Sequence, residues 1–325
     1  MTSNRTRSET LIFIGSASAR LGGGICDRLG SRPGAGTVLR FSEGGIFVRI
    51  DENVRGRDVF VVQSTLFPAN DQLIELTFWM DALKRASAAS VTAVIPYFNY
   101  AKGDKLDEPR TSIRARVCAD MIQNAGADAV IMLELHSPQV QGFFTRPADE
   151  LHAVGVMCDA IRQWGPANLT VVSPDSGFAK RARDYAARLD VPLAIADKRR
   201  TGHQERAEVL DVIGEVRGRN ALIVDDFVVS GQTLVQAARK LVEKGALSVT
   251  AAVTHGVFSS EAREVLEASP IEQLLVTDSV EGHPWPLPHI VRTISVAPLF
   301  AEAIGRAHRG ESISALAEAP ARSQS

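Results

Sequence analysis

Residues 221–234 read Ala-Leu-Ile-Val-Asp-Asp-Phe-Val-Val-Ser-Gly-Gln-Thr-Leu, and here the side chains point most directly to chemistry. An apolar run delivers two adjacent carboxylates, Asp225 and Asp226, and a short turn with Ser230, Gly231, Gln232 and Thr233 opens the helical pattern that follows. Paired carboxylates accept hydrogen bonds from two vicinal sugar hydroxyls. Gly231 lets backbone amides approach an anion, the helix start adds more amides, and Ser230 and Thr233 add hydroxyl donors. One ligand of ribose 5-phosphate shape satisfies both halves. A plain capped helix with two solvated aspartates explains an isolated Asp-Asp pair. It does not explain the apolar run before the pair together with Ser-Gly-x-Thr after it.

Three further sites carry suitable residue types. Lys198, Arg199 and Arg200 are consecutive cations in a segment expected to be a loop running on to Gln204. Such runs are commonly solvated; the functional alternative is a mobile flap that neutralises charge on a transferring phosphoryl group and excludes water. His136 follows an apolar run over 129–134, and Asp175 follows one over 170–173, so both fall just past strand ends.

The elements that must position these residues alternate. Apolar runs at 11–14, 59–63, 91–96, 129–134, 170–173, 193–195, 221–224, 248–254 and 274–277 read as strands. Helical spacing occupies 70–86, 113–125, 178–189, 230–244 and 299–308. Strands alternating with helices predict mainly parallel sheets flanked by helices, the α/β class. At 325 residues the chain suits two domains, expected over 8–152 and 153–316, followed by a small polar tail over 317–325 with a disordered composition. A net charge of −2 provides no global basic field for nucleic acid, so any anion site must be local. No stretch approaches the roughly 18 apolar residues of a membrane span, and the polar start is unlike a secretory signal. Cys26, Cys118 and Cys158 are scattered and form no CxxC pair, which predicts reduced core thiols in a reducing, cytoplasmic setting.

The loop at 221–233 resembles the phosphoribosyl-binding loop of the phosphoribosyltransferase fold. Over about residues 10–316 the chain resembles the ribose-phosphate pyrophosphokinase family. The segments that carry this resemblance are DENVRGRDVFVVQS (51–64), ASAASVTAVIPYFNYAK (86–102), AGADAVIMLELHSPQVQGFF (125–144), VVSPDSGFAKRA (171–182), DKRR (197–200), ALIVDDFVVSGQT (221–233), VTHGVFS (253–259) and LFAEAIGRAHRGESIS (299–314). The resemblance implies two similar phosphoribosyltransferase-like domains and transfer of the diphosphate of ATP to the 1-hydroxyl of ribose 5-phosphate, with AMP leaving. It implies ribose 5-phosphate binding by Asp225, Asp226, Ser230, Gly231, Gln232 and Thr233, with Lys198 and Arg200 as the catalytic pair. Lys102, Asp104 and His136 contact ATP on the same basis, and His136 and Asp175 hold Mg²⁺ on the nucleotide phosphates. The segment with Phe41 and Glu43 reaches the adenine of a neighbouring subunit, so a homo-oligomer built from dimers, often a hexamer, is implied as well.

The chain departs from the family pattern in a few places. Lys102-Gly103 stands where Arg-Gln is usual, Gly45 where an acidic residue is usual, Val229 for an Asp and Gln232 for a small residue. Pro138 lies near the regulatory phosphate site of the common class. Two of these changes, at Gly45 and at Lys102-Gly103, fall on the nucleotide side and point to an altered donor preference. Two other readings use the same features: a catalytically weak partner of an active synthetase, and a phosphoribosyltransferase, which shares only the loop.

Overall fold

The structure is a computed structural model that describes residues 10–199 and 208–316. The expected tail over 317–325 lies outside the described residues. Two compact units emerge. Of the described residues, the first holds those to Leu151, the segment Ser279–Gly282 and those from Val296 to Leu316; the second holds those of His152–Asp278 and His283–Ser295.

In the first unit the order is β1 (Leu11–Ile14), α1 (Ala19–Leu29), β2 (Gly36–Arg40), β3 (Ile46–Ile50), β4 (Asp58–Val62), α2 (Ala69–Arg85), β5 (Ser90–Ile95), α3 (Arg114–Asn124), β6 (Ala129–Leu133) and β7 (Ala148–Leu151). Strands β1-β4-β5-β6-β7 form one sheet in that order, with every pair parallel, and β2 and β3 form a separate antiparallel hairpin. Strands β1, β4, β5 and β6 are mostly apolar and buried, as in a parallel sheet covered on both faces, whereas the edge strand β7 reads Ala-Asp-Glu-Leu. Leu73, Leu76, Met80 and Leu83 of α2 are all buried, as their spacing predicts, and Phe13 packs on Trp79 with ring centroids 5.3 Å apart.

The second unit runs α4 (Val154–Trp164), β8 (Leu169–Ser173), α5 (Ala179–Leu189), β9 (Leu193–Arg199), β10 (Glu208–Ile213), β11 (Asn220–Val228), α6 (Gln232–Glu243), β12 (Ser248–Gly256), α7 (Ala262–Glu267), β13 (Ile271–Thr277) and β14 (Val291–Ile294). Its sheet has the order β10-β9-β8-β11-β12-β13-β14, parallel except for β10, which runs antiparallel to β9. The chain then returns to the first unit as α8 (Ala297–Arg309), which packs on α1 and buries Phe300 and Ile304.

Several elements differ from expectation. The strand over 221–224 continues through the Asp pair to Val228, because β12 extends beside it and pairs His255 with Phe227 and Gly256 with Val228. The strand at 193–195 continues to Arg199, held by β10, so Lys198 and Arg199 stand on a strand and not in a loop; Lys198 pairs with Val209. Helix α1 was hidden by its run Gly22-Gly23-Gly24, which reads as a breaker. Two of the three serve close packing: a Cβ at Gly22 would stand 2.6 Å from Ile14 Cγ2, and one at Gly24 would stand 3.2 Å from Ala297 Cβ.

All three cysteines are buried free thiols. Burial pushes Cys118 up to about 11 and Cys158 up to about 12, so both are inert at neutral pH. Among the described residues no helix is long and apolar enough to cross a membrane.

Candidate active site

The strand order of the second unit reverses direction between β8 and β11, and such a switch point opens a crevice at the carboxyl ends of the strands. Strand β11 pairs with β8 only over Asn220–Ile223, whereas it stays with β12 as far as Val228. Beyond Ile223 the chain of β8 therefore leaves β11, and Asp225 and Asp226 lie on the stretch where it has left. In the five-strand sheet of the first unit the strands follow one another to one side, without such a reversal.

The two carboxylates are tied to the backbone of their own strand. The Asp226 amide donates to Asp225 Oδ1 at 3.0 Å, and the Phe227 amide donates to Asp226 Oδ1 at 2.9 Å. Asp226 is 6% exposed. Burial pushes the Asp225 carboxyl well above the ordinary carboxylate range; the charge of Asp226 acts next, and Asp175 adds in the same direction. Asp175 thus lies within electrostatic reach of the pair. Its turn is fixed by Ser173 Oγ donating to the Asp175 carbonyl at 2.7 Å and by the Phe178 amide donating to Asp175 Oδ1 at 3.1 Å.

The loop that follows is pinned from the β12 side. Val228 O accepts the Val257 and Phe258 amides, and Val229 O accepts the Ser259 amide at 2.8 Å. Gly231 takes φ 82°, and a Cβ there would stand 2.7 Å from Leu266 Cγ, so the position admits only glycine without rearrangement. Helix α6 starts here with no acidic residue in its first turn; the Gln232 amide meets Ser230 Oγ only at a long 3.4 Å. Thr233 is half-buried and Gln232 exposed. Amides and hydroxyls at the positive end of a helix make an anion site. The second unit thus brings together Asp175, Asp225, Asp226 and the 230–233 loop. Lys198 has its backbone on β9, while Arg200 lies outside the described residues.

A second cluster forms within the first unit. Lys102 ends a 3₁₀ turn over Asn99–Lys102. Asp104 Oδ2 accepts Ser137 Oγ at 2.6 Å, which fastens that segment to the residue next to His136. His136 is exposed, and the chain reaches it through Glu134, a buried residue held at φ 43°. Such a left-handed, non-glycine turn stores strain and persists only where its surroundings hold it. Phe41 and Glu43 stand exposed at the tip of the β2–β3 hairpin, where Phe41 packs on Phe47 with centroids 6.1 Å apart. Sequence reasoning missed Ser137; its partner is 33 residues away, and no local signal links them.

Magnesium is the group the family resemblance implies. Magnesium takes hard oxygen ligands, typically one or two carboxylates completed by substrate phosphates and water. The Asp175 carboxylate suits that role, since it can hold the Phe178 amide and still offer an oxygen; the His136 nitrogen suits it less. Among the described residues no group of three or more His, Cys, Asp or Glu side chains could hold a metal by itself.

Two family models match the chain: the N-terminal domain of ribose phosphate pyrophosphokinase over residues 10–126 and the phosphoribosyl synthetase-associated domain over residues 201–318. A ribose-phosphate pyrophosphokinase of Rhizobium meliloti is 47% identical over 307 residues, covering 94% of this chain and 99% of the relative. One from Maricaulis maris is 50% identical over 308 residues, with the same coverage of 94% and 99%. The crystal structure of phosphoribosylpyrophosphate synthetase from Mycobacterium smegmatis superposes with a TM-score of 0.85 at 36% identity, covering 93% of this chain and 100% of that one.

Proposed function

The chain belongs to the ribose-phosphate pyrophosphokinase family, and from that premise we propose how its own residues divide the reaction. It is a diphosphotransferase. The ribose 1-hydroxyl attacks the β-phosphorus of ATP, the bond from that phosphorus to the α,β-bridging oxygen breaks, and AMP leaves.

Asp225 and Asp226 accept hydrogen bonds from the ribose hydroxyls and so aim the 1-hydroxyl. Ser230, Gly231, Gln232 and Thr233 hold the 5-phosphate through hydroxyls and helix-start amides. On the donor side, Lys102, Asp104 and His136 contact ATP, and Phe41 and Glu43 meet the adenine of a neighbouring subunit. Lys198 and Arg200 stabilise charge that develops on the transferring group, where electrostatic placement does most of the catalytic work. Asp175, with His136, would hold Mg²⁺, which when bound neutralises phosphate charge. This assignment includes a cytoplasmic homo-oligomer assembled from dimers, up to a hexamer, and a division of the chain near residue 152 into two domains, with Ser279–Gly282 and α8 rejoining the first.

The observation that supports the acceptor assignment is a single one. The paired carboxylates lie where β11 outruns β8, one loop before a helix start with no acidic residue in its first turn. Steady-state kinetics on Asp226→Ala and Thr233→Ala test it. Both variants are expected to raise KM for ribose 5-phosphate by about tenfold or more, with little change in KM for ATP. Lys198→Ala is expected to lower kcat about 100- to 1,000-fold. If the loop variants move KM for ATP and leave that for the sugar phosphate alone, the acceptor assignment is wrong.

A further inference from the structure

Gly103 is buried although it follows a lysine in a polar segment, and the structure shows what fills the space beside it. A Cβ at Gly103 would stand 2.7 Å from Arg114 Nε, 2.8 Å from Arg114 Cβ and 3.3 Å from Arg114 Cζ. The root of the Arg114 guanidinium therefore lies against the Gly103 backbone, in the volume that any side chain at 103 would need. The backbone holds this arrangement, since the Ala115 amide donates to Gly103 O at 3.0 Å. Arg114 is thus packed onto the 102–104 segment, and Asp104 ties that segment to Ser137, next to His136.

Packing accounts for the root of the side chain but not for its charge. Arg114 opens α3, a helix with no acidic residue in its first turn and no side-chain cap, where the helix dipole disfavours a cation. The carboxylate paired with it, Asp107, is 4.0 Å away, at the outer limit of an ion pair, and both side chains are 56% exposed. Such a pair contributes little. What remains is a planar, forked cation whose stem is packed against Gly103, the residue after Lys102, with more than half of its side chain open to solvent. Lysine is a point charge, whereas a guanidinium can take two oxygens of one phosphate at once.

We propose that Arg114 is a further donor-binding residue, whose guanidinium seated on Gly103 contacts the phosphates of the nucleoside triphosphate. This rests on the reading that Lys102 and Asp104 face the donor. The glycine is then part of the device, because it provides the seat for the arginine.

Steady-state kinetics with full-length Arg114→Ala, Arg114→Gln and Lys102→Ala test it, with melting temperatures measured alongside. Arg114→Gln keeps the stem that packs on Gly103 and serves if the alanine variant is poorly folded. The proposal expects KM for ATP to rise about tenfold in both Arg114 variants, well beyond any fall in kcat, with KM for ribose 5-phosphate unmoved. Arg114→Lys should recover only part of the loss. A folded Arg114→Gln protein with wild-type KM for ATP overturns the proposal. If Lys102→Ala raises KM for ATP while the Arg114 variants do not, only this inference fails. If Lys102→Ala also leaves it unchanged, the donor-side reading falls with it.

Discussion

Asp225 is the residue at which binding and stability oppose each other. Burial, the neighbouring charge of Asp226 and a smaller contribution from Asp175 raise its carboxyl well above the ordinary range. The linkage has a definite sign. Below about pH 4 the group is protonated in both the folded and the unfolded chain and costs nothing. As pH rises, the unfolded chain releases the proton while the folded chain retains it, so stability is lost until the folded value is passed. Asp225→Asn removes that loss. The ligand-free variant should melt higher than the wild type at pH 7, with a margin that shrinks toward pH 4, and should lose most of its activity; thermal melts at both pH values check this. A variant less stable than wild type at pH 7 would show that the carboxylate is compensated by contacts and not held under tension. The pair and its loop were legible in the sequence because strand, carboxylates, glycine and helix start are contiguous. The link from Asp104 to Ser137 and the seat of Arg114 on Gly103 were not, because each joins positions that only the fold brings together.

At the scale of elements, the two units treat the same structural opportunity differently. In the proposed reading, the turn from β11 into α6 receives the 5-phosphate of the acceptor, and α6 has no acidic residue in its first turn. After β1 the corresponding turn is occupied by the protein itself. The Ser16 amide donates to Glu75 at 2.8 Å, the Ser16 hydroxyl also bonds Glu75, and the Ala17 amide donates to Gln63 Oε1 at 3.0 Å. The start of α1 is capped by a carboxylate from elsewhere in the unit, with the Arg20 and Leu21 amides donating to Glu281 at 3.0 and 2.7 Å. Those internal carboxylates stand where an anionic ligand would otherwise bind. Glu281→Ala should therefore behave as the loss of a helix cap, about 1–2 kcal/mol in urea denaturation, with both substrate KM values unchanged. A large rise in either KM would mean that the start of α1 takes part in the site. Strands buried on both faces were readable as apolar runs, whereas β10, whose Glu-Val-Leu-Asp-Val-Ile is interrupted by carboxylates at a sheet edge, was not. Missing β10 is what turned Lys198 and Arg199 into expected loop residues.

At the scale of the whole molecule, the chain does not fold as two successive segments. Helix α8 returns to the first unit and crosses α1 closely, with Gly24 facing Ala297 and Gly305 facing Leu29. Phe300 and Ile304 are fully buried there. A fragment ending at residue 151 should fail to unfold cooperatively, and adding the segment from residue 296 as a separate peptide should restore a transition. A 1–151 fragment as stable as the full chain would contradict that dependence. The α/β class and the parallel sheets were legible from alternation alone; the return of α8 was not, because an amphipathic helix carries no mark of which sheet or helix it covers. The family match spans nearly the whole chain, which a phosphoribosyltransferase sharing only the loop would not produce.

The measurement that bears most directly on the central claim is phosphorus NMR of the purified chain turning over ATP and ribose 5-phosphate with Mg²⁺. The account predicts AMP and phosphoribosyl pyrophosphate in equal amounts, with the β- and γ-phosphorus of ATP both carried to the sugar, and no turnover in Lys198→Ala beyond a small residue. ADP together with a singly phosphorylated sugar product, or no product at all from a folded protein, would contradict it.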